Sequence, residues 1–488
     1  MQYKQTLVVL LVLCFPFLSF SQVTTYLPQG ANENNLLERL EIKAGTDSLL
    51  NFSKTKPFSR RQFVPAIEKY YLAGSANSLQ QGNETGARLT KVDLYNAEIA
   101  LQANSEFASQ KFESKRPFLK HFYKSPANAL EVNNKDFYLA VNPVFQYIVG
   151  KEKDNSQHLF LNTRGLSLRG VIANKVGFTA YVTDNQERDP KYVQAFVNEK
   201  QAVPGEGYYK EFKATGYDYF DARGTITVNA AKFIDISFGY DKNFIGNGYR
   251  SLFLSDFSNS ALFLRLNTRI WKLNYQNLFM ELVNAHSRGL DRYLNKKYAA
   301  VHHLDLGVTK WLNVGLFEAI VFGRPDHFEF GYLNPVIFYR SAERQNGSFD
   351  NAIAGMDLKA NVAHHLQFYG QLLLDEFKLS ELKKKWWGNK FGFQLGGKYI
   401  DAFGVANLDL QAEWNRVRPF TYSHYDSISN YTHDNQPLAH PLGANFNEFL
   451  GSLRYQFAPK WMVLAKAMFY KQGRDTGSVS FGSNIFLP

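Results

Sequence analysis

The chain is 488 residues long, carries a formal net charge of +11, and is 16% aromatic, with 42 Phe and 28 Tyr. Its one cysteine, Cys14, lies in the first apolar run, so a chain cleaved after that run has no disulfide, no thiol catalysis and no cysteine metal site. No later apolar run approaches the roughly 18 residues of a membrane helix. A mean hydropathy of -0.32 suits a barrel as well as a soluble protein, because alternate strand residues of a barrel face water.

In chain order, Lys4 supplies a charged start, and Leu7 to Phe20 form an apolar run too short to span. Small residues in Ser19-Phe-Ser21 precede Gln22, which predicts a signal peptide over 1–21. A lipoprotein reading of Cys14 fits poorly, since Leu13 stands where a small residue is needed. An exported basic chain meets anionic glycans or lipid headgroups, lipopolysaccharide included, rather than nucleic acid.

Residues 22–130 read as a small helical region and linker on the periplasmic side. Leu36, Leu37 and Leu40 recur at helical spacing. Ser59 with Gln62, and Thr90 with Asp93, have the spacing of capping boxes. Phe63, Ile67, Tyr70 and Tyr71 follow the first of these on one face, and Leu94, Ala97 and Leu101 the second. These helices either sit in the lower mouth of a barrel or form a separate soluble domain. The Lys-, Pro- and Asn-rich stretch 111–134 reads as a linker.

From 131 to 488 the pattern is that of an all-β transmembrane barrel, with about 16–18 antiparallel strands. In 218–229, Phe220, Ala222, Gly224, Ile226 and Val228 alternate with Asp221, Arg223, Thr225, Thr227 and Asn229, the period of a strand. About sixteen such segments follow one another, the last at 478–487. A further hairpin drawn from 205–217 and 243–258 would make eighteen. Tight connections at 172–174, 230–232, 310, 361–363, 401–403 and 458–459 alternate with long ones at 185–217, 242–260, 284–298, 323–350, 376–389 and 415–444. Short periplasmic turns and long outer loops have this rhythm; a soluble sandwich would not keep it. Asp305, Asp357, Lys359, Lys398, Asn407, Asp409, Gln411 and Glu413 fall on the inward face. A lumen of both signs favours paired charges over an open single-sign pore.

His302-His303 and His364-His365 each point to opposite faces of a strand, so neither pair closes on one metal. His303 shares a face with Asp305, the minimum for an oriented base, but no nucleophile signature accompanies them. No catalytic residue, cofactor or metal is expected. The long loops interleave rings with cations at Tyr208, Tyr209 and Lys210, at Tyr249 and Arg250, at Arg292 and Tyr293, and at Lys383, Lys384, Lys385, Trp386 and Trp387. Aromatic faces stack on sugar rings while cations pair with uronate or phosphate, so these twelve are the candidate contacts for an acidic surface polysaccharide. The same residues would otherwise serve as an interfacial girdle.

The runs Asn162-Thr-Arg-Gly165, Arg169-Gly170, Thr183-Asp-Asn-Gln186, Gly246-Asn-Gly-Tyr-Arg-Ser-Leu-Phe-Leu-Ser-Asp256 and His440-Pro-Leu-Gly443 resemble the capsule assembly Wzi family. The resemblance is to its gliding-motility RemB-like branch in Bacteroidetes, and Leu37-Glu-Arg-Leu40 and Lys56-Pro-Phe-Ser-Arg60 fit the same pattern. It implies a barrel of about eighteen strands, a helical bundle at its periplasmic end, and a lectin-like, non-enzymatic role at surface polysaccharide. A pore or substrate transporter is the alternative function, and a barrel hydrolase a more distant one.

Overall fold

The computed structural model describes residues 23–487 except 77–86, 115–118, 120, 288–292, 325–326, 328, 337, 348, 385 and 477–478, and omits the side chains of 382 and 383. The expected signal peptide with Cys14, and the candidates Arg292 and Lys385, lie outside the described residues, as does the side chain of Lys383.

Three helices come first: α1 (Asn32–Ala44), α2 (Arg60–Ala76) and α3 (Lys91–Ala103). Leu36, Leu37 and Leu40 of α1, Phe63 and Ile67 of α2, and Ala97 and Leu101 of α3 share one apolar core, as their spacing predicts. The Thr90 box forms: Thr90 Oγ1 accepts from Asp93 N at 3.0 Å, and Asp93 returns the bond to Thr90 N. The Ser59 box does not, because Ser59 Oγ bonds to Thr24 Oγ1 at 2.8 Å.

Fifteen long strands follow: β1 (Phe137–Gly150), β2 (Leu159–Ile172), β3 (Val176–Arg188), β4 (Gly216–Ala231), β5 (Ile234–Asp241), β6 (Ala261–Ile270), β7 (Leu273–Val283), β8 (Lys296–Gly307), β9 (Leu312–Phe322), β10 (Asn351–Val362), β11 (Leu366–Leu374), β12 (Phe391–Tyr399), β13 (Leu408–Val417), β14 (Phe446–Ala458) and β15 (Trp461–Gln472). Each pairs antiparallel with the next, and the sheet forms a closed barrel. A short strand, Leu130–Asn133, pairs with the edge of β1 that β2 leaves free, in what read as linker. The expected strand at 478–487 is absent among the described residues there, which form turns and a bridge from Val479 to Thr476. Those residues fold back on the loops instead, with Ile485 in the barrel's inner core.

Alternation holds through the wall. Phe220 is 69% exposed on the outer face, whereas Asp221, Thr225 and Thr227 beside it are buried on the inner one. The outward row Leu316, Met356, Leu372 and Phe393 runs across four paired strands, the continuous apolar surface that lipid requires.

The helices fill the short-turn end of the lumen and hold the wall through ion pairs. Arg39 reaches Asp93 at 2.9 Å, Asp401 at 2.9 Å and Asp409. Lys54 lies between Asp305 (3.0 Å) and Asp357, and Lys359 meets Glu41. The inward charges are therefore paired, mainly with the plug rather than across open lumen. Such buried pairs fix position more than they add stability, since desolvation offsets much of their attraction.

Candidate lumenal binding site

The site begins with a loop that does the opposite of what loops at a barrel mouth usually do. Residues 242–260 dive into the lumen, where Phe244–Ile245 pair as a strand with Thr55–Lys56 of the plug. Gly246 N donates to Lys54 O at 2.7 Å. The run after it is held by inward side chains of three successive strands. Glu413 of β13 accepts from Tyr249 N (2.7 Å) and Arg250 N (3.1 Å), Gln394 of β12 donates to Arg250 O (2.9 Å), and Gln371 of β11 accepts from Leu252 N (2.8 Å). Gly248 permits this approach: a Cβ there would stand 2.5 Å from Glu413 Oε2 and 2.8 Å from Gln394 Oε1. The Gly-Asn-Gly-Tyr-Arg-Ser run is thus a backbone anchor, and Glu413 is its receptor.

The anchor presents Tyr249 and Arg250 to a lumenal cavity of about 700 Å³. Lys466 Nζ of β15 lies 4.3 Å from the centre of the Tyr249 ring, and the Arg250 guanidinium 5.2 Å from it. Arg250 Nη2 stands 3.5 Å from Glu448, while its buried Nε has no hydrogen-bond partner. Lys466 forms no ion pair among the described residues. Lys56, Lys398 and Arg454 add further charge, so the lining holds six cations to three carboxylates. Helix α1 begins here too, with Ala31 as an N-cap that makes no side-chain bond, and its positive end adds to the field.

Glu38 of α1 is shared by Lys398 (2.8 Å) and Lys56 (3.2 Å). Burial pushes its carboxyl up, but the two lysines outweigh that and hold it at about 2. It stays ionised and neutralises the cations on the plug side, leaving Lys466 and Arg250 as the charged groups beside the ring. A cavity of this size lies within the usual range for ligand sites, roughly 300–1,000 Å³. Its chemistry suits a ring-bearing anion.

The other candidates stand on separate loops. Tyr208 is 74% exposed, but Tyr209 is buried against Val197, Val203 and Tyr217, stacking edge-on to Tyr217 at 4.9 Å. That core belongs to a helix, Lys191–Lys200, which the loop's sequence did not announce. Lys210 opens a short strand, Lys210–Phe212, paired with β4. Tyr293 is fully exposed. Among the described residues of 375–390, Asn389 bonds Lys378 N (2.7 Å) and Lys378 O (3.2 Å), Lys378 covers the Trp386 ring at 4.9 Å, and Lys384 pairs with Glu381 at 3.2 Å. Trp387 is 65% exposed and meets Phe420 edge-on. Of the twelve, Tyr249 with Arg250 and Trp386 with Trp387 form built pairs.

His303 Nε2 donates to Asp357 at 2.7 Å inside the wall, and Asp305 takes Lys54, so the pair that shared a face does structural duty. Sequence reasoning missed Lys466 as a partner of Tyr249; its inward position on β15 was legible, its neighbour was not.

No family model matches the chain, and no curated protein matches it in sequence. Among solved structures it is similar to Wzi of Escherichia coli, an outer membrane protein involved in group 1 capsule assembly and described as a carbohydrate-binding β-barrel. The TM-score is 0.53 at 13% identity, over 95% of this chain and 88% of that one. Salmonella typhi OmpF (TM-score 0.39, 8% identity, 73% and 96% covered) and a Rh. blastica porin (0.34, 10%, 68% and 94%) are fainter likenesses, too slight to bear on function. The chain is an all-β barrel of the transmembrane type with the fold of Wzi.

Proposed function

We propose that this chain is an outer-membrane barrel that holds an acidic surface polysaccharide without altering it chemically. The observation that carries the reading is Tyr249 flanked by Lys466 and Arg250 at a cavity with excess positive charge. A tyrosine face suits a sugar ring, and the cations suit its carboxylate or phosphate. The likeness to Wzi supplies the fold on which such a site is built. Residues 1–21 act as the signal peptide, 22–130 face the periplasm, and 131–488 form the barrel, with long loops outward by the rule for such turns. Trp386, Trp387, Tyr208 and Tyr293 give the outer rim further stacking surface, beside lysines that also suit lipopolysaccharide. The service is capsule or exopolysaccharide assembly; a part in gliding rests on the sequence resemblance alone. The plug and the inserted loop argue against a permanently open pore.

The test is retention of the purified barrel on an immobilised uronate-rich polysaccharide, against a neutral one of equal length. Lys466→Gln should weaken retention and flatten its salt dependence. Tyr249→Ala should weaken it at every salt concentration. Equal retention on both polymers, or by both variants, would remove this reading.

A further inference from the structure

One polar row on the outer wall lies under a loop. Asn277, His302 and Glu318 lie directly opposite one another on β7, β8 and β9. Their neighbours in register, His303 and Phe317, face the lumen, where His303 bonds Asp357, so this row faces out. Unpaired polar groups at membrane depth are costly and rare.

The loop between β9 and β10 covers them. Arg324 and Asp350 pin its two ends together, the guanidinium donating two hydrogen bonds to the carboxylate at 2.7 and 2.8 Å. From there, residues 329–336 and 338–346 pass down the outside of the wall. Pro335 O accepts from Asn277 Nδ2 (3.2 Å) and Tyr275 Oη (2.7 Å), while Arg340 N donates to Glu318 at 3.1 Å. The Tyr339 ring lies 4.0 Å from that of His302. Tyr332 and Tyr339 are fully buried against Phe279, Ala300, Ile320 and Phe322 of the wall. Asn277 stands six residues below the loop end of β7 at Val283, about 20 Å along the strand at roughly 3.3 Å per residue.

The strap's other side exposes three large apolar side chains, Phe330 at 76%, Val336 at 84% and Phe338 at 76%, with Asn334 between the first two. It is continuous with the outward apolar face of the barrel, to which Leu316 belongs at 54% exposure. Its exposed cations are Arg340, tied to Glu343 at 2.6 Å, and Arg344 toward the far end of the segment, and their long stems let the charged heads reach toward headgroups.

We infer that this strap is a membrane-embedded element, a lipid-contact surface in which Val336 and Phe338 meet acyl chains while its inner side seals the polar row. The inference rests on the membrane reading above. The test uses the full chain in a Cys14→Ser background, reconstituted into phosphatidylcholine vesicles with brominated acyl chains. Val336→Cys and Phe338→Cys variants carry a thiol-linked fluorophore, with Leu316→Cys as the wall reference and Tyr293→Cys as the loop reference. The bromines should quench the strap labels as strongly as the wall label and leave the loop label bright. Strap labels as bright as the loop label, with the wall label quenched, would overturn the inference and leave the barrel reading standing. A bright wall label would overturn both.

Discussion

Lys398 of the wall donates to Glu38 of the plug at 2.8 Å, so one carboxylate is both a tie between the two parts and a counter-charge at the cavity. Glu38 sits at about 2 in the folded chain against an ordinary 4.5, and Arg39 and Lys43 together hold Asp93 well below its usual range.

That depression gives a pH window. A carboxyl whose folded value lies below its unfolded one contributes its stability in full above the unfolded value and loses it as pH falls toward the folded one. Docking of the plug should therefore be constant above pH 4.5 and weaken from there toward pH 2. With a quarter of the Glu38 side chain exposed, its share is on the order of 2 kcal/mol. Hydrogen exchange of α1 and α3 against pH checks this; protection unchanged down to pH 2.5 would count against it.

Gly248→Ala should break the anchor. Its Cβ would press on Glu413, Gln394 and the backbone at Arg250, and overpacking of this kind costs about 1–3 kcal/mol. The barrel should still form while protease gains access to 242–260. Loss should also appear in glycan retention, because Tyr249 and Arg250 are placed by the same anchor. A variant that keeps both protection and retention would show that the run is not what positions the ring.

At the rim, Lys383, Lys384 and Lys385 replaced together by Ser should lower retention mainly at low salt. Replacing Trp386 and Trp387 by Ala removes two stacking faces, each of which is worth about 0.5–2 kcal/mol if it contacts a sugar or cation. If polysaccharide retention is untouched in both while binding to lipopolysaccharide-containing vesicles falls, the loop meets headgroups and the glycan is held by the lumen alone.

Planar-bilayer recordings should show little steady current at neutral pH, since the plug and residues 242–260 occupy the lumen. As pH falls toward 2 and the Glu38 carboxylate protonates, brief openings should become frequent. A large ohmic conductance at pH 7 would favour the transporter reading.

The wall was legible in the chain because strand alternation is local: Phe220 and Asp221 declare their faces without reference to any partner. Leu36, Leu40, Phe63 and Ile67 declare helices in the same way. What could not be read is long-range. Lys111–Asn134 looked like a linker because the four residues that pair with β1 are too few to show a period. Loop 242–260 looked external because its length matched that of other loops, and long-range contacts to the plug, Gln371, Gln394 and Glu413 turn it inward. His302 and Glu318 are covered by a loop of mixed composition with no period at all, so their place under it was not legible. Tyr209 was grouped with Tyr208, though a neighbouring helix takes one ring inside and leaves the other out.

The short pairing of Thr55–Lys56 with Phe244–Ile245 constrains how the molecule is made. The plug's half of that ladder is synthesised long before the other half, and Arg39 waits for Asp401 and Asp409 near the far end of the chain. A finished barrel could not readily admit three helices already joined to one of its own loops. The wall must therefore close around its contents, with the helices acting as the mould on which the last strands set, and a chain deprived of residues 23–103 should stall in assembly rather than yield an empty barrel.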